Sequence, residues 1–223
     1  MFAMLRVFLF LGLSFFFSHC GGGGGGSSSS SSSPRGLRVL HAGVELAPVD
    51  VRLSSDLSLF MGSNSFSQSA LRTSFPEGAG SFILTRANTP NDVLGRFSLP
   101  VEPKERYSLL VFGDVGSFGT QMSFFPDGSE EISGTALRLI HGLVGASELQ
   151  LDIAGAMMLQ AAFGGASEYG ASAPGVHRIV IKRKTDGREI VSRELTLVED
   201  TQYSFFVFGE LDYLNSSRLL IDE

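Results

Sequence analysis

The sequence predicts an all-β protein, two tandem antiparallel β-sandwich domains that follow a signal peptide and a disordered Gly/Ser tether. Three observations predict this fold class. Short segments alternate apolar and polar residues between turn-forming residues, two stretches of the chain repeat each other, and long capped helical periodicities are missing from the sequence. A sandwich of immunoglobulin-like or related topology is the architecture that this pattern favours.

The N-terminus has the pattern of an export signal. Met1–Arg6 carries one positive charge, and Val7–Phe17 is almost uninterruptedly apolar. This run is shorter than the roughly 20 apolar residues that a permanent transmembrane helix needs. A short basic start, an apolar centre and a small-residue exit are typical of a cleaved signal, so residues 1–19 are predicted to be a signal peptide.

Cys20, the single cysteine of the chain, ends this signal. It resembles the modified cysteine of bacterial lipoproteins, with Phe17, Ser18 and His19 in the preceding lipobox positions. The resemblance implies lipidation of Cys20, with palmitate among the acyl chains, and an envelope location. Because Gly21 rather than aspartate follows, it favours the outer membrane. The alternative is a soluble periplasmic protein released after signal cleavage.

The segment after Cys20 is a predicted tether. Gly21–Ser33 consists of six glycines and seven serines, which have no apolar surface to bury, so residues 20–35 are predicted to be a disordered linker. Without the signal the chain keeps 16 basic and 23 acidic residues, a formal charge of −7. A nucleic-acid surface needs a basic stripe, so nucleic acid is excluded as a partner.

The rest of the chain consists of two copies of one unit. Leu37–Ala42 recurs as Leu137–Gly142, and Arg106–Gly113 recurs in the same order as Gln202–Gly209. A period near 100 residues indicates a duplicated domain, because solenoid repeats are much shorter. The predicted limits are therefore 36–127 for the first β-sandwich repeat and 135–223 for the second.

Within each copy the pattern is that of strands. Val49–Leu53 and its counterpart Leu149–Ile153 alternate apolar with polar residues, as half-buried strands do. Asp186-Gly187 between two apolar segments predicts a hairpin with a type I′ turn. Tyr107–Phe112 is apolar on both faces, which predicts a central strand that is covered on two sides.

These segments carry a family resemblance. Leu37–Ala42, Ala47–Val51 and Tyr107–Gly113 resemble the domain of unknown function 4397 family. The second copy keeps the first and third of these segments, but Gln150 replaces the aspartate of the strand motif. The resemblance implies an exported, often tandem β-sandwich module with no established activity.

The histidines His41 and His141 occupy equivalent places in the two copies. They could be metal ligands or a pH switch, since imidazole titrates near neutrality. The favoured interpretation is a strand-end histidine that bonds neighbouring backbone, because a zinc site needs three or four convergent ligands and His177 stands alone on its strand. No metal and no cofactor is therefore predicted.

Catalytic patterns are weak in this sequence. Asp50 and Arg52 point outward on one strand, and a solvated or cross-strand ion pair is the favoured interpretation of them. Acid–base chemistry would need two carboxylates held across a cleft, and a G-x-S-x-G nucleophile motif is missing from the sequence. The prediction is that the protein is not an enzyme, with a hydrolase as the less favoured class.

Two aromatic residues are the candidates for binding. Phe118 and Tyr213 follow Gly113 and Gly209 in loops that differ between the copies, and loops of sandwich proteins often bind ligands. The other conspicuous aromatics are expected to pack in the core: Tyr107, Phe112, Phe124, Phe125, Tyr203, Phe206 and Phe208. The sequence thus predicts a non-catalytic, envelope-anchored binding or structural module, with a carbohydrate- or peptidoglycan-binding module as the alternative. The expected partners are the membrane, through the lipid anchor, and an envelope protein or a glycan.

Overall fold

The computed structural model describes residues 36–74, 80–99, 106–113, 119–127, 134–211 and 216–222. The predicted signal peptide, Cys20 and the tether lie outside these residues, as do Phe118 and Tyr213. No helix among the described residues is long and apolar enough to span a membrane.

The described residues form β-strands joined by turns and loops, which confirms the predicted all-β class. The first repeat contains β1 (Gly36–His41), β2 (Val49–Leu53), β3 (Leu59–Asn64), β4 (Ser69–Arg72), β5 (Ser81–Arg86), β6 (Val93–Ser98), β7 (Arg106–Phe112) and β8 (Gln121–Asp127). The second contains β9 (Thr135–Val144), β10 (Glu148–Ile153), β11 (Ala156–Ala162), β12 (Gly170–Ser172), β13 (Gly175–Arg183), β14 (Glu189–Leu197), β15 (Gln202–Glu210) and β16 (Ser216–Asp222).

The two repeats have the same topology. In the first repeat, sheet I has the strand order β4-β1-β7-β8 and sheet II the order β3-β2-β5-β6. In the second, sheet III is β12-β9-β15-β16 and sheet IV is β11-β10-β13-β14. Strands pair antiparallel except β1 with β7 and β9 with β15, which pair parallel. The register is also shared, since Tyr107 lies opposite Leu37 and Tyr203 opposite Leu137.

Each repeat has its own apolar core between its two sheets. In the first, Val39, Val51 and Phe82 are among the fully buried side chains, and the Tyr107 ring stacks on Phe124 at 4.9 Å. In the second, the core includes Leu139, Leu151, Ile181 and Phe205, all inaccessible to solvent. Burial of each such side chain stabilises the fold by about 1.5–3 kcal/mol. The residues that are buried in this way are the apolar members of the alternating strand pattern in the sequence.

A third apolar cluster joins the two repeats. It lies between the outer faces of sheets I and III and consists of Leu40, Ala42, Leu110, Phe112, Ile140, Phe206 and Phe208. The sheets therefore stack in the order II, I, III, IV. This cluster explains why β7 and β15 are apolar on both faces. One face of each strand meets the core of its own sandwich, and the other face meets the other repeat.

The hairpin predicted at Asp186-Gly187 joins β13 and β14, but its turn is not of type I′. A type I′ turn needs positive φ at both central residues, whereas in this loop Gly187 alone has one, at 70°. Gly187 N–H donates to the Arg183 carbonyl at 2.9 Å, and Arg183 N–H donates to the Arg188 carbonyl at 2.8 Å. The connection is a longer loop whose last residue adopts the left-handed conformation.

Candidate functional site

An open groove runs between the edges of the first sandwich. Its rims are β3, the edge strand of sheet II, and β4, the edge strand of sheet I. The groove has a volume of about 500 Å³. Its lining is Leu59, Phe60, Met61, Gly62, Ala70, Leu71, Arg72, Thr73 and Ser74.

The groove exposes aliphatic rather than aromatic side chains. Leu59 is 54% exposed and Leu71 is 47% exposed, one on each rim, and Leu57 is exposed beside them. The Phe60 ring is only 2% exposed, so it forms the floor and offers no stacking platform. Among the described residues, every exposed large hydrophobic side chain is a leucine or a valine.

Arg72 ties the two rims together. Its Nη1 donates to the Phe60 carbonyl at 2.5 Å, and its guanidinium lies 4.8 Å from the centroid of the Phe60 ring. A bond from a side chain to an edge-strand carbonyl occupies a group that another strand could otherwise pair with. Arg72 therefore fixes the width of the groove and leaves the leucines at its mouth accessible.

The second sandwich is closed at the corresponding edge. Arg72 lies opposite Leu37 in the pairing of β4 with β1, and Gly170 lies opposite Leu137 in the equivalent pairing of β12 with β9. A Cβ on Gly170 would lie 2.8 Å from the Leu159 side chain, which reaches over from β11. Leu159 thus occupies the space between the two edge strands that stays open in the first sandwich.

The favoured interpretation of Asp50 and Arg52, a solvated or cross-strand ion pair, was wrong about the setting of the pair: both residues lie on β2, and Asp50 is buried. Asp50 is 2% exposed, and its carboxylate accepts bonds from Arg52 Nη2 at 2.8 Å and from two backbone N–H groups. These belong to Ser63 at 2.8 Å and Asn88 at 3.0 Å. Asp50 is covered because the end of β3, which carries Ser63, and the loop that carries Asn88 fold over it, so its carboxylate holds these two segments in place.

The second sandwich has a related arrangement at shifted positions. Asp152 stands where Arg52 would be expected, and it accepts from Lys182 Nζ at 2.5 Å and from Gln150 Nε2 at 2.6 Å. Burial opposes ionisation of Asp152, but the bonds from Lys182 and Gln150 outweigh it and hold its pKa below the usual value. The second sandwich therefore has Gln150 at the position equivalent to Asp50 and carries its acidic residue two positions further along the strand, at Asp152.

A buried ionic network lies at the junction of the repeats. Asp127 accepts hydrogen bonds from Ser108 Oγ at 2.7 and 2.8 Å and from Arg138 Nη2. It also forms an ion pair with Arg38, whose Nη1 lies 3.5 Å from Oδ2. Arg138 also donates to the Pro126 carbonyl at 2.9 Å and to Ser204 Oγ at 2.8 Å. An arginine of the second repeat thus holds the last strand of the first.

The two equivalent histidines are buried and bond to backbone. Nε2 of His41 lies 3.2 Å from the Ala47 carbonyl, and Nε2 of His141 lies 3.1 Å from that of Ala146. Leu143 N–H donates to Nδ1 of His141 at 3.1 Å, so Nε2 of that ring carries the proton. Burial lowers the pKa of both imidazoles, that of His141 to about 4. Within the described ranges, no group of three or more His, Cys, Asp or Glu could hold a metal ion.

The sequence-based search therefore missed the groove and the junction. The binding candidates Phe118 and Tyr213 lie outside the described residues, and Leu59 and Leu71 were not singled out because isolated leucines near strand ends have no distinguishing pattern. The junction did leave a signal: Arg38 and Arg138 recur at equivalent places in strands that are otherwise apolar. A charged residue repeated in such a strand indicates a buried partner.

Comparisons with known proteins identify no family for this chain. No family model matches the chain, and no curated protein matches it. The chain is similar to a solved structure of a family 26 carbohydrate-binding module from Eubacterium rectale Amy13K in complex with maltoheptaose. Identity is 9%, the match covers 84% of this chain and 97% of that chain, and the TM-score is 0.27.

A second similar structure is that of a family 41 carbohydrate-binding module from streptococcal virulence factors, described for α-glucan recognition. Its identity is 11%, the match covers 81% of this chain and 99% of that chain, and the TM-score is 0.25. Likeness at this level says nothing about the ligand of this chain.

Proposed function

We propose that the protein is a non-catalytic binding module of the bacterial envelope, anchored through Cys20 and binding its partner in the groove between β3 and β4. The groove carries the proposal, because Leu59 and Leu71 expose apolar surface on both rims of a cavity. The carboxylates Asp50, Asp127 and Asp152 are each engaged by a cation of the same chain. This supports a binding role over acid–base chemistry.

The proposed ligand is an extended peptide segment of an envelope protein. Both rims of the groove are edge strands, and edge strands accept extended chains by main-chain hydrogen bonding while pockets take alternate side chains. Because Arg72 occupies the Phe60 carbonyl, such a chain would pair with other edge groups of the two rims. Leucine-lined walls suit aliphatic side chains of such a segment. A sugar would favour an exposed aromatic face, and Phe60 is buried beneath Arg72. Glycan binding remains the alternative, through Phe118 and Tyr213.

Photo-cross-linking in intact envelopes tests the groove. With a photoreactive phenylalanine in place of Leu71, we expect covalent protein adducts, and Leu59→Asp in the same chain should reduce their yield about tenfold. A tenfold loss corresponds to about 1.4 kcal/mol, a modest cost for a charge in an apolar contact. The matched control places the same group at Val198, which is exposed on the second repeat. Equal yields at positions 71 and 198 would contradict the proposal, and glycan adducts would favour the alternative.

The anchor is tested separately. Cells that express the full chain should incorporate labelled palmitate into it and retain it in outer-membrane fractions. Cys20→Ala should abolish both, because no other thiol is present in the sequence, whereas Ser33→Ala in the tether should change neither. Label that persists in Cys20→Ala would refute lipidation at this residue. We also propose that the chain is related to the domain of unknown function 4397 family, which Leu37–Ala42, Ala47–Val51 and Tyr107–Gly113 resemble.

A further inference from the structure

The two faces that meet between the repeats have matching compositions. From sheet I the residues that point to the junction are Arg38, Leu40, Ala42, Ser108, Leu110 and Phe112. From sheet III they are the equivalent residues Arg138, Ile140, Gly142, Ser204, Phe206 and Phe208. Each face therefore presents an arginine beside a serine at one end and aromatic and small residues at the other.

Equivalent positions meet across this junction. A Cβ built on Gly142 would lie 2.4 Å from the Cβ of Ala42, its counterpart in the first repeat. Arg38 and Arg138, also counterparts, both lie against Asp127. In an interface with two-fold symmetry, residues on the axis touch their own counterparts.

Contacts on either side of these central residues are reciprocal. His41 carbonyl accepts from Ser67 N–H at 2.9 Å and His141 carbonyl from Gly164 N–H at 2.8 Å, so the preceding residues Phe66 and Phe163 are equivalent. Phe112 of the first repeat packs edge-on against Phe163 at 5.1 Å. Phe208, the counterpart of Phe112, packs edge-on against Phe66 at 5.4 Å.

We infer that the outer faces of sheets I and III form one docking surface with pseudo-two-fold symmetry, in which each face fits its counterpart in the other repeat. Contacts in which residue i touches j′ and j touches i′ define an isologous interface, the kind that closes a two-fold homodimer. In this chain the two partners are covalently joined repeats. The docking surface consists of the twelve residues named above together with Phe66 and Phe163.

The symmetry also fixes which ends of the repeats lie together. Arg38 and Arg138 reach the same carboxylate, that of Asp127, and four residues further along the same strands Ala42 and Gly142 meet, so β1 and β9 run in the same direction. The pseudo-axis therefore runs along the strands. The starts of β1 and β9 lie at one end of the molecule, while Gly113, which follows β7, and Gly209, near the end of β15, lie at the other.

Exchanging the two faces in the full chain tests this inference. Three equivalent pairs differ among the fourteen residues of this surface, so their exchange is Leu40→Ile, Ala42→Gly and Leu110→Phe together with Ile140→Leu, Gly142→Ala and Phe206→Leu. Phe125 and Ala166, which also pack against the cluster, stay in place. If the interface is isologous, this exchange restores the same contacts, with the first and second repeats interchanged. We expect the melting temperature to stay within about 3 °C of the original chain, since total volume and facing partners are kept.

The matched control changes one face only. Ile140→Leu, Gly142→Ala and Phe206→Leu place a methyl group against Ala42 and leave a void beside Leu110, so we expect melting to fall by about 5 °C or more. A full-exchange chain that fails to fold, or melts as low as this control, overturns the inference. So does a control that melts like the original chain.

A smaller variant checks the axis itself. Gly142→Ala alone should lower the melting temperature, and adding Ala42→Gly should restore most of the loss, because one methyl group then fills the same space from the other side. Gly62→Ala serves as the steric control, since its nearest neighbour is the exposed, flexible tip of Leu59 at 3.1 Å. Failure of Ala42→Gly to restore stability contradicts contact between the counterparts.

Discussion

Asp127→Asn lowers the free energy of unfolding by about 3–5 kcal/mol, the range found when one partner of a buried ion pair is removed. The substitution keeps the size of the side chain but removes its charge. Arg138 has a 2% exposed side chain in this network, and Arg38 is also buried. Both guanidinium groups would then lie in a low-dielectric interior without the carboxylate that compensates them.

The effect should be large because the network joins the two repeats. Asp127 ends β8, and Arg138, which binds it, lies on β9 and also donates to Pro126 and Ser204. The Arg138 guanidinium lies 5.3 Å from the Phe125 ring and 4.9 Å from the Tyr169 ring, so it cannot turn to solvent without disturbing both contacts. Losing the carboxylate therefore weakens the attachment of the first repeat's last strand to the second repeat.

Urea unfolding followed by circular dichroism measures the change. The matched control is Asp92→Asn, which removes the carboxylate of an exposed pair with Arg86 at 2.7 Å. Exposed pairs contribute about 0–1 kcal/mol, so this control should be nearly neutral. Equal unfolding free energies for Asp127→Asn and Asp92→Asn would show that the junction network contributes nothing to stability.

The sequence contains most of the information on the fold because strand patterning is local. Alternation at Val49–Leu53 and the apolar runs after Tyr107 and Tyr203 placed β2, β7 and β15 correctly. Two-sided burial of β7 was also predictable from its composition. Its cause, the second repeat, was not, because a pattern shows that a face is buried and not which surface covers it.

The candidate site was much less predictable because it depends on contacts between distant segments. The groove exists because the first residues of β3 and the last residues of β4, which belong to different sheets, line the same space. Arg72 crosses this space to reach the Phe60 carbonyl. Asp50 is buried by β3 at Ser63 and by the loop at Asn88, which are 13 and 38 residues away. Alternation assigns Asp50 to the outward face, and only the tertiary fold shows that this face is covered.

Lowering the pH from about 6.5 to about 4 destabilises the protein by about 3 kcal/mol through His141 alone. Its pKa falls from an ordinary value of 6.5 to about 4 on folding because the ring is buried. A tenfold difference in proton affinity corresponds to about 1.4 kcal/mol, so the difference between 6.5 and 4 amounts to about 3.5 kcal/mol in full. About 3 kcal/mol of this is lost by pH 4, where the folded ring is half protonated. The pKa of His41 is lowered by burial as well, which adds to the effect in the same direction.

The sign follows from proton binding. Above pH 6.5 the imidazole is neutral in both states and contributes no pH dependence. As the pH falls below 6.5, the unfolded chain binds a proton that the folded chain excludes, so the free energy of unfolding decreases. Below about pH 4 the folded state binds it too and the loss from this residue ends. In the neutral ring Nδ1 accepts a hydrogen bond from Leu143 N–H. When the folded protein is protonated, Nδ1 carries a hydrogen of its own, so two donors face each other and this bond is lost.

His141→Gln isolates this contribution, since glutamine does not titrate. We expect the variant's free energy of unfolding, measured in urea at intervals from pH 7.5 to 4, to fall by about 3 kcal/mol less than that of the original chain. Carboxylates titrate in both proteins and cancel in the difference. His177→Gln is the control, because His177 is partly exposed and bonds only the Ala173 carbonyl through Nε2 at 2.9 Å. If His141→Gln and the original chain lose stability in parallel over this range, the buried imidazole is not the source of the acid sensitivity.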